Sequence, residues 1–286
     1  MFQNLIERRS LGNGGLIIFL LGFAALVVGL IATDQAALAT SIGLGLLVIL
    51  AILAKPNLAT LIVVFVLFTN AAVIAVQFHN VPSLVGASLP ALLVFPLASL
   101  VIIRREKIIL SPILLPMFLF FAVQVAGTLF AEYRVEATDN LVTFIAEGLG
   151  LFFLITNVVR TQRMLRQATW ALLIGGALLG ALSFYQQVTH TYTNNYWGFA
   201  QLSNAAFSTG QTTLDGNVQQ WRMEGMIGEK NRYAQVMLML VPLGMFRVFS
   251  EKQTALRIAA GVATALIALG ASMAFSRGAA VGFALM

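Results

Sequence analysis

The chain has 286 residues, of which 59% are hydrophobic and only 10% are charged. Ordinary soluble domains carry about 25% charged residues, so this composition excludes a soluble globular domain and favours an integral membrane protein. The formal net charge is +6, and the absence of cysteine excludes disulfides, thiolate catalysis and cysteine metal sites.

Continuous apolar runs of about 20 residues, the length that a helix needs to cross a bilayer, recur along the chain. They predict an all-α polytopic membrane protein with the spans 15–32, 36–54, 57–76, 85–103, 109–131, 141–159, 168–187, 233–249 and 258–275. A tenth span begins at Gly278 and stops at Met286 without a polar cap. We therefore expect about ten transmembrane helices in a single domain over 1–286, with the last helix truncated and the domain incomplete at its C-terminus.

The charges of the loops predict the orientation of these spans, because short cytoplasmic loops are enriched in Lys and Arg. With the amino terminus inside, twelve of the 17 Lys and Arg residues lie on the cytoplasmic side. The remaining cations, on the outside, are Arg134, Arg222, Lys230, Arg232 and Arg277. Orientation thus explains the net charge, and no basic patch with interleaved aromatic residues indicates binding to nucleic acid.

One outside connection is much longer than the others. Residues 188–232 are predicted to form a large extracytoplasmic loop, and loops of this length are usually functional or disordered. Aromatic residues in this loop and just before it include Tyr185, Tyr192, Tyr196 and Trp197. They are typical of the aromatic belt at a membrane interface. The alternative is a set of stacking platforms for sugars.

Cations cluster at the outer mouth of the predicted eighth span, in the segment WRMEGMIGEKNRYAQ. Arg222, Lys230 and Arg232 lie beside a helix start, whose unpaired backbone N–H groups attract anions. The topology brings Arg277, at the outer end of the ninth span, to the same face. Arginine suits a phosphate because its planar fork donates two parallel hydrogen bonds. The alternative is that these cations are snorkelling anchors at helix ends.

Part of this segment, RMEGMIGEKNRYA, resembles the Arg-x-x-Gly-x-x-Gly-x-Pro-Asn-x-x-Ala signature of the O-antigen ligase and polymerase family of bacterial membrane glycosyltransferases. The matching residues are Arg222, Gly225, Gly228, Asn231 and Ala234. Lys230 stands where the family usually has proline, which predicts a less rigid turn before the helix.

A second segment, SMAFSRGAAVGFAL, is similar to the family's other landmark, a Ser-Arg-Gly that opens a helix. Its matching residues are Ser276, Arg277 and Gly278. The spacing of the two landmarks and the single cytoplasmic hairpin between them also agree with the family. The resemblance covers roughly residues 140–286, and the first four spans agree only as a hydrophobic pattern.

The resemblance implies transfer of a glycan from an undecaprenyl-diphosphate-linked donor to a hydroxyl of a glycan, lipid or protein acceptor. The reaction would take place at the outer face of the bacterial cytoplasmic (inner) membrane, in lipopolysaccharide or other polysaccharide biosynthesis. Arg222 and Arg277 are then the catalytic cations, which stabilise the departing diphosphate. Asn231, Lys230 and Arg232 are expected to bind substrate, and neither a metal nor a cofactor is implied.

The family also implies a general base that this chain does not show. In the family a histidine in a later outer loop activates the acceptor, and the corresponding segment is absent here. His79, paired with Asn80, lies in a loop far upstream of the family's histidine, and His190 is an ordinary loop residue. We therefore expect this chain alone to bind the donor through its arginines and to be inactive in transfer.

Glu147 is the only acidic residue inside a predicted span. An ionisable group within the membrane is costly, so Glu147 counts as a functional candidate, here for substrate binding. The alternatives are a structural partner of Arg222 or Arg277, a group that faces a water-filled crevice, or a general base.

Other functions fit parts of the same pattern. A polymerase of the same family shares both motifs with a ligase. A non-catalytic transporter or flippase of lipid-linked anions would also use many spans and an outward cationic mouth, although no paired halves with interrupted helices are present. A scaffold subunit has no specific feature in its favour.

Overall fold

The computed structural model describes residues 56–82, 86, 89–103, 105–202 and 221–285. The chain divides into two units, Met1–Leu58 and Ala59–Met286, and the fold described below is essentially that of the second. The predicted spans 15–32 and 36–54 lie outside the described residues. Every regular element within the described ranges is a helix, and none of these residues forms a strand.

Four of the described helices are long and apolar enough to cross a membrane, or five if a bent pair counts as one span, which indicates a membrane protein. The long helices are Arg134–Val158, Gln162–Thr189 (α7), Lys230–Ser250 (α8) and Thr254–Met273 (α9). They correspond to the predicted spans 141–159, 168–187, 233–249 and 258–275. A further helix, α10, covers Arg277–Leu285 where the tenth span was predicted to begin.

The predicted span 57–76 is not one straight helix. Helix α1, Pro56–Phe68, and helix α2, Ala71–His79, meet at a bend of 60°. Between them the Thr69 hydroxyl donates to a carbonyl of its own helix, and Asn70 takes a left-handed conformation with φ 55°. Ser, Thr and Asn side chains compete with helical backbone hydrogen bonds in this way, and Asn tolerates the left-handed region.

The described part of the predicted span 85–103 is divided into short segments, and the predicted span 109–131 is shorter in the structure. The first contains a 3₁₀ turn at Leu89–Leu93, helix α3 at Val94–Ala98 and a π turn at Ser99–Ile103. The second is helix α4, Leu114–Leu129.

Helix α4 begins later than predicted, and residues 105–111 before it have no regular secondary structure. The amide of Asn157 accepts from the N–H of Ile109 at 2.8 Å and donates to its carbonyl at 3.0 Å. Pro112 also disfavours the helical conformation for Ser111.

Helix Arg134–Val158 is continuous but not uniform. It consists of α5, Arg134–Thr143, a π-helical segment, Phe144–Gly150, and α6, Leu151–Val158. Sequence periodicity does not predict this wider segment, which contains Glu147.

The core of the described fold lies between α7, α8, α9 and α10. Close approach of α7 and α9 requires Gly180, because a Cβ there would lie 2.1 Å from the carbonyl oxygen of Leu266. Tyr233, on α8, is fully buried, and its hydroxyl lies 2.7 Å from that of Ser183 on α7. The Tyr233 hydroxyl is thus satisfied by a partner on a neighbouring helix.

At one end of this core, a charge cluster around Glu251, directly after α8, connects α8 to α7. Its carboxylate accepts from Arg166 and from the indole N–H of Trp170, both on α7, and it lies 3.8 Å from Arg247. Glu251 and Arg247 are both buried. Burial raises the pKa of Glu251, but the hydrogen bonds from Trp170 and Arg166 and the charges of the two arginines outweigh it and lower the pKa below its ordinary value.

We expect Glu251→Gln to lower the free energy of unfolding by about 3 kcal/mol, because it leaves buried Arg247 without its carboxylate partner. Thermal unfolding in lipid nanodiscs measures the loss. Since the folded-state pKa of Glu251 is depressed, its stabilisation is present above the ordinary carboxyl pKa and is lost as the pH falls through the folded-state pKa.

The matched control is Glu106→Gln. Glu106 also pairs with an arginine, Arg160, at 3.3 Å, but its side chain is 41% exposed. Exposed pairs contribute about 1 kcal/mol or less, so this variant should unfold close to the wild type. Equal losses in the two variants would contradict a special role for the buried cluster.

Candidate functional site

A cavity of about 630 Å³ lies where α8 begins, α9 ends and α10 begins. Its polar wall consists of Arg222, Asn231, Ser272, Ser276 and Arg277, beside Gly278. Its apolar wall consists of Ala271, Phe275, Ala279, Ala280 and Phe283. Residues of both sequence motifs therefore line one cavity, and the cavity is amphipathic.

Arg222 is held against the end of helix α9. Its Nε donates to the carbonyl of Ala274 and its Nη2 to that of Phe275, both at 2.9 Å, and the N–H of Met223 donates to Met273. The last carbonyls of a helix lack partners within the helix, and Arg222 satisfies two in this turn. Two of its five N–H groups are used, and the other three have no partner in the described part of the chain.

Glycine shapes the loop that carries Arg222. Gly225 has φ 57°, and a Cβ there would lie 2.3 Å from the ring of buried Tyr233. Gly228 has φ 73°, and its Cβ would lie 2.6 Å from the side-chain oxygen of Gln201. Both positions therefore need glycine for conformation and for space.

Two other segments hold the same loop in place. Gln201 pairs with Gly225 in an isolated antiparallel bridge, with N–H to carbonyl at 2.9 Å. The side-chain amide of Asn70, at the bend between α1 and α2, donates to the carbonyl of Met226 at 2.9 Å. The bend that the sequence did not predict thus supports the loop of the candidate site.

The start of α8 differs from the prediction that its free N–H groups attract an anion. Glu229 occupies this place, because its carboxylate accepts from the backbone N–H groups of Asn231 at 3.0 Å and Arg232 at 2.6 Å. Burial raises the pKa of Glu229, but these hydrogen bonds and the charges of Arg232 and Lys230 hold it below its ordinary value. The protein's own carboxylate therefore satisfies this helix start, and sequence analysis missed it because glutamate is not a preferred N-cap residue.

A different helix start faces the cavity. Arg277 to Ala280 form the first turn of α10 and line the wall, with Ser276 directly before the helix. The Ser276 hydroxyl is 3.5 Å from the N–H of Ala279. Arg277 is exposed, and within the described ranges its guanidinium has no hydrogen-bond or ion-pair partner. The helix start that lines the cavity therefore belongs to α10, whose first residues come from the second motif.

Other predicted site residues lie apart from the cavity wall. Neither Lys230 nor Arg232 lines it, although both neighbour Asn231, which does. Ala234 packs in the core of α8. Glu147 is exposed on its π-helical segment, does not line the cavity, and forms no ion pair within the described part of the chain. The suggested partnership of Glu147 with Arg222 or Arg277 is therefore not present.

The two histidines make local contacts away from the cavity. His79 Nε2 lies 3.1 Å from the carbonyl oxygen of Trp197. His190 ends helix α7, and its Nδ1 lies 3.1 Å from the hydroxyl of Tyr192. Neither ring lines the cavity. Both contacts join residues near the ends of helices to the connections between helices.

Comparisons with known proteins found no relative of this chain. No family model, no curated protein and no solved structure matches the chain. No group of three or more His, Asp or Glu residues that could hold a metal occurs among the described residues. The resemblance to the O-antigen ligase and polymerase family therefore depends on the two sequence motifs.

Proposed function

We propose that the chain is an O-antigen ligase-like membrane glycosyltransferase. It transfers a glycan from an undecaprenyl-diphosphate-linked donor to an acceptor hydroxyl at the outer face of the bacterial cytoplasmic membrane. The observation that carries the proposal is the convergence of Arg222 and Arg277, from two separate motifs, on one amphipathic cavity.

The polar wall has the chemistry that a departing diphosphate requires. Charge grows on the diphosphate as the glycosidic bond to it breaks, and preorganised donors that face this charge are worth a few kcal/mol each. Arg277 offers a full guanidinium fork, Arg222 offers its three remaining N–H groups, and the first turn of α10 offers the positive end of a helix dipole.

The apolar wall fits the lipid part of the same donor. Phe275 and Phe283 lie on the cavity together with small residues of α9 and α10. Such a surface can hold isoprenoid carbons next to the diphosphate, as amphipathic ligand sites combine an apolar wall with a few polar groups. Asn231 supplies an amide for a hydroxyl or phosphate oxygen, and Lys230 and Arg232 contribute long-range attraction from outside the wall.

The proposed orientation has ten spans, a cytoplasmic amino terminus and the cavity outside. Helix α8 supports it, because the cavity lies at its start and the Glu251 cluster lies at its end. The cluster end also carries exposed Arg163, Lys252 and Arg257, as expected for the cytoplasmic side.

Two single cysteines in this cysteine-free chain test the orientation. Thr193→Cys lies after α7, at the cavity end, and Gln253→Cys lies after α8, at the other end; both positions are exposed. We expect an impermeant thiol reagent to label Thr193→Cys in intact cells and Gln253→Cys only after lysis. The reverse pattern would place the cavity in the cytoplasm and remove the proposed reaction. Positions Ser203 and Thr212, also expected to be outside, lie beyond the described residues.

Transfer itself is tested by expression of the gene in a strain that lacks its own ligase and polymerase. We expect acceptor-dependent loss of the lipid-linked donor together with new surface glycan. Polymerised donor without transfer to the acceptor would indicate a polymerase. Donor flux across vesicles without a new glycosidic bond would instead indicate a transporter and contradict the proposal.

A further inference from the structure

We propose that the indole ring of Trp197 is a stacking platform for a sugar ring, so that the outer surface beside the cavity carries a glycan subsite. The choice of a glycan as its ligand rests on the proposed function. The geometry of the turn that contains Trp197, its connection to the cavity loop and its neighbours carry the inference.

The turn has an unusual backbone. Tyr196, Trp197 and Gly198 have φ values of 45°, 58° and 96° in succession. Only glycine adopts such values without strain, and a bulky residue in this region costs of order 1–3 kcal/mol. Two neighbouring aromatic residues therefore hold a conformation that the surrounding structure must enforce.

Several contacts enforce it. Gly198 is buried, and a Cβ at that position would lie 2.7 Å from the ring of Phe78 on α2. The Gly198 carbonyl accepts from the side-chain amide of Gln201 at 2.9 Å, and the carbonyl of Trp197 lies 3.1 Å from His79. With its backbone fixed in this way, Trp197 displays an outward ring that is 75% exposed.

The neighbouring aromatic rings contact one another. Tyr192 stacks on Trp221 at 5.0 Å between ring centroids, and Tyr185 meets Tyr196 edge to face at 6.1 Å. Within the described part of the chain, Trp197 is the one of these five aromatic residues that makes no ring contact. The strained turn thus leaves one flat, rigid face for an external partner.

The position of the ring links it to the cavity. Gln201, which fixes the turn, also pairs with Gly225 in the loop that carries Arg222. The turn and the polar wall are therefore parts of one connected outer surface. A donor whose diphosphate lies at Arg222 would extend its glycan over this surface, because the glycan is the polar end of the donor.

Polar neighbours favour a sugar over lipid as the partner of this ring. Thr193, Asn194 and Asn195 precede the turn and are exposed. Hydroxyl and amide groups of this kind bond sugar hydroxyls, while an aromatic face covers the apolar C–H face of a pyranose. A Trp that anchors a protein in the interface fits between apolar and headgroup-contacting residues instead.

The experiment measures binding of soluble maltotetraose, chitotetraose and mannotetraose to the protein in nanodiscs, by saturation-transfer NMR. We expect binding of at least one tetrasaccharide, weakened about tenfold by Trp197→Ala and less by Trp197→Phe, which keeps a ring. Tyr133→Ala removes another exposed ring, outside the turn, and should leave binding unchanged.

Failure of this inference is distinct from failure of the proposed function. The tetrasaccharides carry no diphosphate, so Arg277→Ala should not affect their binding. Absence of binding by every tetrasaccharide, or equal binding by wild type and Trp197→Ala, overturns the platform. A second contrary outcome comes from tryptophan fluorescence in nanodiscs with brominated lipids. The Trp197 emission is the part that is lost in Trp197→Phe, and if the brominated lipids quench it, the ring is a membrane anchor.

Discussion

Arg277→Ala should weaken binding of undecaprenyl diphosphate by about 10- to 150-fold. A hydrogen bond to a charged group contributes about 1.5–3 kcal/mol, and a tenfold change in affinity corresponds to about 1.4 kcal/mol. Arg277 is the better test of ligand binding than Arg222, because within the described part of the chain its side chain is exposed and makes no hydrogen bond or ion pair that the substitution would break. Titration of the protein in nanodiscs with the lipid diphosphate measures the change.

Arg134→Ala is the matched control. Arg134 is also exposed and also the first residue of a helix, but it does not line the cavity. Its loss should change affinity for the lipid diphosphate less than twofold. Undecaprenol, which lacks the diphosphate, should bind wild type and Arg277→Ala alike. Equal weakening by the two arginine variants would show a general effect of surface charge, and the cavity would lose its assignment.

Arg277→Lys separates charge from geometry. Lysine keeps the positive charge but cannot make two parallel hydrogen bonds, so its affinity should lie between those of wild type and Arg277→Ala. The corresponding change at Arg222 is harder to interpret. The same guanidinium that faces the cavity also bonds Ala274 and Phe275 at the end of α9, so Arg222→Lys should reduce stability together with donor binding.

Gly225→Ala should have the second large effect, a loss of about 2–6 kcal/mol in the free energy of unfolding together with loss of diphosphate binding. An alanine is strained at φ 57°, which costs about 1–3 kcal/mol, and its methyl group would overlap the ring of Tyr233, which costs a similar amount. Tyr233 cannot move aside, because it is fully buried and its hydroxyl is bonded to Ser183. Thermal unfolding and lipid diphosphate titration measure both effects.

Two other glycines provide a graded comparison. Gly228→Ala also has a strained backbone, but it meets the flexible end of the Gln201 side chain, so its loss should be smaller. Gly127→Ala, within α4, meets nothing within 4 Å and should be neutral or stabilising by up to about 1 kcal/mol. A loss at Gly127 as large as that at Gly225 would contradict the role of the cavity loop.

The amino-acid sequence by itself determined that the chain is helical and suited to a membrane. Continuous apolar runs produce helices at the later predicted spans, because backbone groups in lipid must bond within their own segment. The turn before α8 was expected from the resemblance, in which Lys230 stands at the family's proline. These features depend on neighbours in the sequence.

Only the tertiary structure decided how the site is assembled. Asn70 bends an apolar run, and the partner of its amide, Met226, lies 156 residues away. Glu229 occupies the start of α8, so the helix start that faces the cavity belongs to α10. Glu147 lies apart from that wall, although its place inside an apolar span made it a candidate. The local sequence pattern indicates which side chains can carry chemistry. A polar group within an apolar run, however, needs a hydrogen-bond partner, and the packing of distant segments decides which partner it meets.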